Sequence, residues 1–194
     1  MNIGFIGLGN VGGKLAGSLL RNGYHVTIRD LDPEITRRFI DQGAAAASSP
    51  RAVAEASDMI ITCLPSPRAC SAVMEAEDGV IAGLSAGKVW LEMSTTDAQE
   101  LVRIAARVAA TGALAMETPV SGGCHRAATG NISIFAGGDR DTFERVLPVL
   151  TTLGRRVLHT GPLGTASMLK VLTNYLATAN LCSVAEALTV ARKA

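Results

Sequence analysis

A glycine-rich hexapeptide near the N-terminus combines residue types and spacing that suit the binding of phosphate groups. It reads Gly7-Leu8-Gly9-Asn10-Val11-Gly12. The GxGxxG pattern alone is a weak signal, but here it follows an apolar, strand-like run and opens a helix-like segment. Gly7 permits a tight turn, Gly9 lets a pyrophosphate approach the backbone, and Gly12 lets the helix and strand pack closely. Because a helix N-terminus offers free N–H groups and a positive dipole end, the pattern predicts a dinucleotide-binding loop.

An acidic residue at the expected distance supports this interpretation. Asp30 ends the second strand-like run, eighteen residues after Gly12. A carboxylate there can accept hydrogen bonds from both ribose hydroxyls of NAD and repel the 2′-phosphate of NADP. Arg29 directly precedes it and could hold that phosphate, so NADP stays open as the alternative cofactor. A turn or helix-capping role for Asp30 is the structural alternative. Together, the residues favour NAD.

The loop and its acid need a framework of parallel strands, and the rest of the chain has that pattern. Apolar strand-like runs alternate with helix-like segments, as in a parallel sheet covered by helices on both faces. We expect strands at residues 2–6, 24–29, 58–64, 88–92, 114–116, 132–136 and 157–159. We expect helices at residues 11–21, 33–42, 97–110 and 139–149. The pattern predicts an α/β fold with a Rossmann-type, doubly wound, mostly parallel sheet over residues 1–162.

Two of these helices carry specific signals at their ends. Thr96 and Gln99 have the spacing of a capping box at the start of the helix expected from residue 97. Pro148 is expected to limit the end of the helix that begins near residue 139, because a proline inside a helix removes one backbone hydrogen bond.

The last segment, residues 165–194, contains neither glycine nor proline and is expected to form one long helix. At about 1.5 Å per residue it would be roughly 45 Å long, which is more than one small domain can cover. Its apolar residues are also spread around much of the circumference, so the helix needs a second domain or a second subunit against it. We therefore assign residues 163–194 to an interdomain or dimerisation helix and expect a homo-oligomer.

Composition argues against several other classes of function. The 18 Lys and Arg against 17 Asp and Glu give a net charge of +1 without a basic run, so nothing favours nucleic acid or an anionic membrane as a partner. No apolar run is long enough to span a bilayer. The four cysteines form no CxxC pair and are expected to be reduced thiols, which makes the cytoplasm the expected compartment. No cluster of His, Cys and acidic residues has metal-ligand spacing, so no metal site is expected.

Three motifs in chain order resemble those of the β-hydroxyacid dehydrogenase family. The segment from Gly4 to Gly12 resembles the family's cofactor signature. The run Thr118-Pro119-Val120-Ser121-Gly122-Gly123, followed by Ala127 and Gly130, resembles its substrate-binding motif. Gly161-Pro162-Leu163-Gly164, followed by Lys170 and Asn174, has the spacing of its catalytic segment. The resemblance covers nearly the whole chain. Glu117 is a departure, because the family usually has aspartate there.

The resemblance implies a transfer of hydride between a nicotinamide cofactor and a small 3-hydroxy acid. Lys170 would be the general base that takes the hydroxyl proton, and in the reverse direction the acid that returns it, with a pKa tuned by burial. Asn174, one helical turn away, would orient the same substrate oxygen. The residues implied to bind the substrate carboxylate are Ser121, Gly122 and Gly123. The loops implied to contact the cofactor are Leu64-Pro65 and Ser94-Thr95.

The resemblance also implies a further domain. In the family, the long helix leads into an all-helical C-terminal domain of roughly a hundred residues, an ordinary domain size, which closes the active site. We expect that this domain is missing from the 194-residue chain because the chain is part of a longer protein. A short chain that a partner subunit completes is the alternative.

Two alternative functions stay open. An NADPH-dependent semialdehyde reductase of the same family is favoured by Arg29. A non-catalytic dinucleotide-binding or oligomerisation module would use the long helix as its interface, but it would need none of Lys170, Asn174 and Ser121. Imine reductases share the fold but generally lack a lysine at this position, so Lys170 argues against them.

Overall fold

A nine-stranded sheet lies at the centre of the computed structural model, which describes residues 1–194. The strands are β1 (Asn2–Ile6), β2 (His25–Arg29), β3 (Ala45–Ala46), β4 (Met59–Thr62), β5 (Val89–Glu92), β6 (Leu114–Glu117), β7 (Val120–Ser121), β8 (Ile132–Gly137) and β9 (Gly154–Gly161). The helices are α1 (Gly12–Arg21), α2 (Pro33–Ile40), α3 (Pro50–Glu55), α4 (Pro67–Glu75), α5 (Val80–Gly83), α6 (Ala98–Ala109), α7 (Gly123–Ala128), α8 (Arg140–Leu153) and α9 (Thr165–Lys193). Every expected strand is present close to its expected position.

The order of the strands creates a crevice at the carboxyl ends of β1 and β4. From one edge the order is β3-β2-β1-β4-β5-β6-β8-β7, and β9 also pairs with β8. From β3 to β6 every neighbouring pair is parallel, whereas β8 is antiparallel to β6 and β7. The chain builds outward from β1 to β3 and then crosses back to β4 on the other side. In open α/β sheets, ligands bind at such a switch point.

Each face of the sheet has its own apolar core, which confirms the doubly wound arrangement. Helices α1, α2, α7 and α8 contribute to one core, in which Leu15, Leu19 and Leu150 are fully buried. Helices α3 to α6 contribute to the other, around Trp90 and Val108. Burial of apolar side chains on both faces explains why the central strands are nearly continuous hydrophobic runs.

The start of α6 differs from the expectation, and helices α3, α4, α5 and α7 were not expected. The capping box at Thr96 is wrong, because Asp97 is the N-cap of α6 and its Oδ1 accepts the N–H groups of Gln99 and Glu100, both at 2.9 Å. Helices α3 and α4 each begin with a serine N-cap followed by proline in the first turn, Ser49 and Ser66 being the caps. Such a Ser-Pro pair is itself a start signal for a helix.

The expectation that Pro148 limits the end of its helix is also wrong. Helix α8 continues past this proline to Leu153. Proline removes one backbone hydrogen bond, but the turn that follows buries Val149, Leu150 and Leu153 in the core. Burial of these apolar side chains offsets the lost hydrogen bond.

The expected long helix is present as α9, with 29 residues from Thr165 to Lys193. Only its first turns are held against the sheet, where Ala166, Ser167 and Lys170 are its buried residues. Most of the later residues are exposed. The exposed apolar side chains are Met168, Val171, Leu172, Tyr175, Leu176, Leu181, Val184, Leu188 and Val190. None of the helices combines the length and the apolar character needed to cross a membrane.

Two valines of α6 provide a matched test of the packing. Val108 is 0% exposed in the core, whereas Val102 on the same helix is 45% exposed. Val108→Ala should lower the free energy of unfolding by about 2 kcal/mol, because it removes two buried methyl groups. Val102→Ala should change it by less than about 0.5 kcal/mol. Urea unfolding of both variants measures the difference, and equal effects would contradict the assignment of this helix face to the core.

Candidate active site

A cleft of about 970 Å³ opens at the carboxyl ends of the central strands and brings together most of the predicted site residues. Those that line it are Gly7, Gly9, Asn10, Val11, Gly12, Asp30, Leu64, Pro65, Ser94, Thr95, Gly123 and Lys170. Four others do not line it, namely Leu8, Ser121, Gly122 and Asn174. Each of these is next in the chain, or hydrogen-bonded, to a residue that does. Segments that are far apart in sequence therefore share one cavity.

The glycines of the loop between β1 and α1 differ in the space around them. Gly7 has a φ of +93°, and a Cβ there would lie 2.4 Å from the carbonyl oxygen of Cys63. A Cβ on Gly12 would lie 2.0 Å from the carbonyl oxygen of Gly7. The fold itself therefore requires these two glycines. A Cβ on Gly9, by contrast, would meet no protein atom within 4 Å, so the space beside Gly9 is open to a ligand.

The start of α1 is suited to bind an anion. Its N-cap, Val11, provides no side-chain hydrogen bond to the helix, and the first turn contains no acidic residue. The free N–H groups and the positive end of the helix dipole therefore face the cleft without a competing carboxylate. Together with the open space at Gly9, this arrangement fits the pyrophosphate of a dinucleotide.

Asp30 braces the glycine loop as well as lining the cleft. Its Oδ2 accepts the N–H of Leu8 at 2.6 Å, and its Oδ1 accepts the N–H of Asp32 at 2.9 Å. The N-cap of α2 is Asp32, so Asp30 does not cap that helix. Arg29 also lines the cleft. Its guanidinium donates to the carbonyl oxygen of Asp30, while its Nε is buried without a partner.

Glu92 is a site residue that the sequence analysis missed. It ends β5, is fully buried, and its Oε2 accepts the hydroxyl of Thr62 at 2.7 Å and the thiol of Cys70 at 2.8 Å. Its Oε1 accepts the N–H of Ser94 at 2.6 Å, and the Ser94 hydroxyl oxygen accepts the N–H of Leu64 at 2.8 Å. Burial raises the pKa of Glu92. This network connects the two loops predicted to contact the cofactor. The sequence signal for Glu92 was a charged residue at the end of an apolar strand.

Lys170 also lines the cleft and belongs to the second turn of α9. It is only 9% exposed, and burial lowers the pKa of its ammonium group. Its Nζ donates to Oδ1 of Asn174 at 2.9 Å, one turn along the same helix. A lysine with a lowered pKa exchanges protons closer to neutral pH, as a general acid or base must.

The serine-glycine-glycine segment follows β7 beside the cleft. Ser121 ends that strand, and Gly122 and Gly123 adopt φ values of +130° and +81°. Residues other than glycine rarely adopt these backbone conformations. The two glycines therefore permit the sharp turn into α7. Gly123 and Lys170 line the same cleft, which brings together the segments predicted to bind the substrate and to carry the acid–base lysine.

Glu117 contacts the start of the helix that carries Lys170. Its side chain is fully buried at the end of β6. Oε1 accepts the N–H of Ala166 at 2.8 Å, and Oε2 accepts the N–H of Ser167 at 2.9 Å together with the Ser167 hydroxyl. The first turn of α9 is thus hydrogen-bonded to the end of a central strand.

The buried carboxyl group of Glu92 should make stability depend on pH. Since burial raises its pKa above 4.5, the folded state binds more protons than the unfolded state between 4.5 and the folded pKa. The contribution of Glu92 to the free energy of unfolding therefore falls as pH rises through that window. Glu92→Gln cannot ionise, so its stability relative to the wild type should increase with pH there.

Urea unfolding of the wild type and Glu92→Gln at a series of pH values above 4.5 measures this difference. Glu144→Gln is the control, because that carboxylate is exposed on α8 and pairs with Arg140. Parallel pH profiles for the wild type and Glu92→Gln would mean that Glu92 is not held in its neutral form.

Comparisons with known proteins agree with the geometry of the cleft. Residues 2–161 match the family model described as the NAD binding domain of 6-phosphogluconate dehydrogenase. The chain is 35% identical over 186 residues, 96% of its length, to the mitochondrial 3-hydroxyisobutyrate dehydrogenase of Mus musculus, of which it covers 56%. It is 35% identical over 193 residues, 100% of its length, to the 2-(hydroxymethyl)glutarate dehydrogenase of Eubacterium barkeri, of which it covers 64%.

A solved structure has the same architecture. The 3-hydroxyisobutyrate dehydrogenase of Mycobacterium tuberculosis, determined with L-serine, superposes with a TM-score of 0.89 at 28% identity, over 99% of this chain and 67% of that one. The resemblance inferred from the three motifs is confirmed. The chain spans a little over half to two thirds of the length of these relatives.

Proposed function

The chain belongs to the NAD-binding domain family of 6-phosphogluconate dehydrogenase, with β-hydroxyacid dehydrogenases among its relatives, and we propose that it is the cofactor-binding and lysine-bearing part of an oxidoreductase. Its reaction is the transfer of hydride between NAD and a small 3-hydroxy acid. The observation that carries this proposal is the cleft itself, which is lined by both the glycine loop and the buried Lys170.

The residues in and beside the cleft have separate roles in such a reaction. A bound nicotinamide would supply the hydride-transfer chemistry. The loop from Gly7 to Gly12 and the N-terminus of α1 hold the pyrophosphate. Lys170 takes the proton of the substrate hydroxyl at Nζ during oxidation and returns it during reduction. Asn174 accepts a hydrogen bond from Nζ and so restricts the orientation of the amine beside the substrate oxygen.

The substrate carboxylate is assigned to the segment from Ser121 to Gly123. The sharp glycine turn exposes backbone N–H groups, and Ser121 adds a hydroxyl donor. Gly123 and Lys170 line the same cleft, which supports a substrate that carries both a carboxylate and a hydroxyl group. A small 3-hydroxy acid meets this requirement.

NAD is the cofactor that the geometry favours, and NADP is the second candidate. The carboxylate of Asp30 lines the cleft and would repel a 2′-phosphate. The guanidinium of Arg29 is already engaged with the carbonyl oxygen of Asp30. The buried Nε of Arg29 has no partner, however, and this is the observation that supports NADP and a semialdehyde reductase.

The exposed apolar residues of α9 support an interface on residues 163–194, either with a further domain or with a second copy of the chain. Residues 1–162 are then the dinucleotide-binding domain. The four cysteines are unpaired, which supports a reducing compartment such as the cytoplasm.

Gly9→Ala tests the cofactor site without disturbing the fold. A Cβ at this position meets no protein atom within 4 Å, so the thermal unfolding temperature should be unchanged. The methyl group would occupy the space beside the pyrophosphate, and NADH affinity should fall at least about tenfold, which is about 1.4 kcal/mol. Calorimetric titration with NADH and NADPH measures both affinities. Unchanged NADH affinity in Gly9→Ala would mean that the cofactor does not bind beside Gly9. Tighter binding of NADPH than of NADH by the wild type would overturn the choice of NAD.

Lys170→Ala tests the catalytic assignment against the non-catalytic module. In the full-length protein, with NAD and a panel of small 3-hydroxy acids, the variant should turn over about a hundredfold to ten-thousandfold more slowly than the wild type, because proton transfer is lost. NADH affinity should stay within about twofold. Lys193→Ala is the matched control, since Lys193 is an exposed lysine at the far end of the same helix. Equal, measurable turnover by the wild type and Lys170→Ala would refute the acid–base role.

A further inference from the structure

The start of α9 has no cap of its own. Its N-cap residue is Gly164, which adopts a left-handed φ of +96° and has no side chain to accept the first free N–H groups of the helix. Two of these groups, on Ala166 and Ser167, donate instead to the carboxylate of Glu117. A residue that is distant in sequence therefore does the work that a serine or aspartate usually does locally.

The sheet leaves room for this contact. In the register of the strands, Glu117 lies between Glu92 on β5 and Gly137 on β8. A Cβ on Gly137 would lie 2.3 Å from Oε1 of Glu117, so only glycine lets the glutamate side chain extend to the helix. The negative carboxylate also meets the positive end of the α9 dipole, which favours the same position.

Lys170 lies close to this contact along α9. It lies four residues after Ala166, hence one turn further along the same face of the helix. The buried residues of α9 are Ala166, Ser167 and Lys170, and most of the remaining helix is exposed. A shift or fraying of the first turn would therefore move the Lys170 side chain in the cleft.

We propose that Glu117 is a positioning residue for Lys170: its carboxylate fixes the first turn of α9 on the end of β6, and this directs the lysine amine into the cofactor cleft. The inference rests on the proposed acid–base function of Lys170. Glu117 itself does not line the cleft and exchanges no proton with the substrate.

The test is an NMR titration of the Lys170 side chain in the wild type and in Glu117→Gln. Glutamine retains the size of the side chain but replaces one acceptor oxygen by an amide NH₂ that faces backbone donors. The amides of Ala166 and Ser167 should exchange faster with solvent. The Lys170 amine should become more exposed, and its pKa should rise towards the ordinary value of lysine. An unchanged Lys170 pKa in folded Glu117→Gln would overturn the proposal.

The control is Asp139→Asn, which alters the N-cap of α8, where the Asp139 carboxylate accepts the N–H of Thr142 at 3.0 Å. It should lower stability without changing the pKa of Lys170, whereas a merely structural role of Glu117 would make the two variants behave alike. If Glu117→Gln does not fold, Ser167→Ala replaces it. This variant removes only the hydrogen bond from the Ser167 hydroxyl to the carboxylate. The proposal requires that it also raises the Lys170 pKa.

The titration needs neither cofactor nor substrate, so it separates this inference from the proposed function. A raised Lys170 pKa in Glu117→Gln, combined with failure of the wild type to bind NADH, would retain the positioning role and refute the proposed function. NADH binding by the wild type, combined with an unchanged Lys170 pKa in Glu117→Gln, would support the proposed function and refute the positioning role.

Discussion

Two buried glutamates at the carboxyl edge of the sheet are the constraint on which the rest of the site depends. Glu92 and Glu117 are paired in the register of β5 and β6, and both side chains are fully buried. A buried carboxyl group is unfavourable unless its oxygens are hydrogen-bonded, and here all four oxygens have protein donors. These donors belong to loops and to a helix, which are therefore hydrogen-bonded to the edge of the sheet. Glu92 supports the two loops that are proposed to contact the cofactor, and Glu117 is hydrogen-bonded to the start of the helix that carries Lys170.

The part of the cleft formed by the glycine loop is shaped mainly by the backbone. The turn at Gly7 and the close contact at Gly12 bring α1 tightly against β1 and leave its N-terminus free. Asp30 holds the loop through the N–H of Leu8 and still borders the cavity. Residues that stabilise this loop therefore also line the cleft, whereas Gly9 lines the cleft with open space beside it.

Local patterns in the sequence predicted most of the framework, because strands, glycine turns and the long helix depend on neighbours in the chain. Local reasoning failed where two signals competed. Thr96 and Asp97 are both good N-caps, and only the backbone geometry selects Asp97. Pro148 is a helix breaker, yet burial of the residues after it extends α8. The roles of Glu92 and Glu117 could not be predicted in this way. Glu117 contacts residues 49 and 50 positions away, and such contacts follow from the topology of the sheet.

The central claim is that one cleft brings a bound nicotinamide next to the amine of Lys170. Nuclear Overhauser contacts in an isotope-labelled chain saturated with NADH test it most directly. The account predicts contacts between the nicotinamide protons and the Lys170 side chain, together with contacts between the adenosine end and the loop around Asp30. Contacts at the adenosine end alone, with the nicotinamide remote from Lys170, would contradict it.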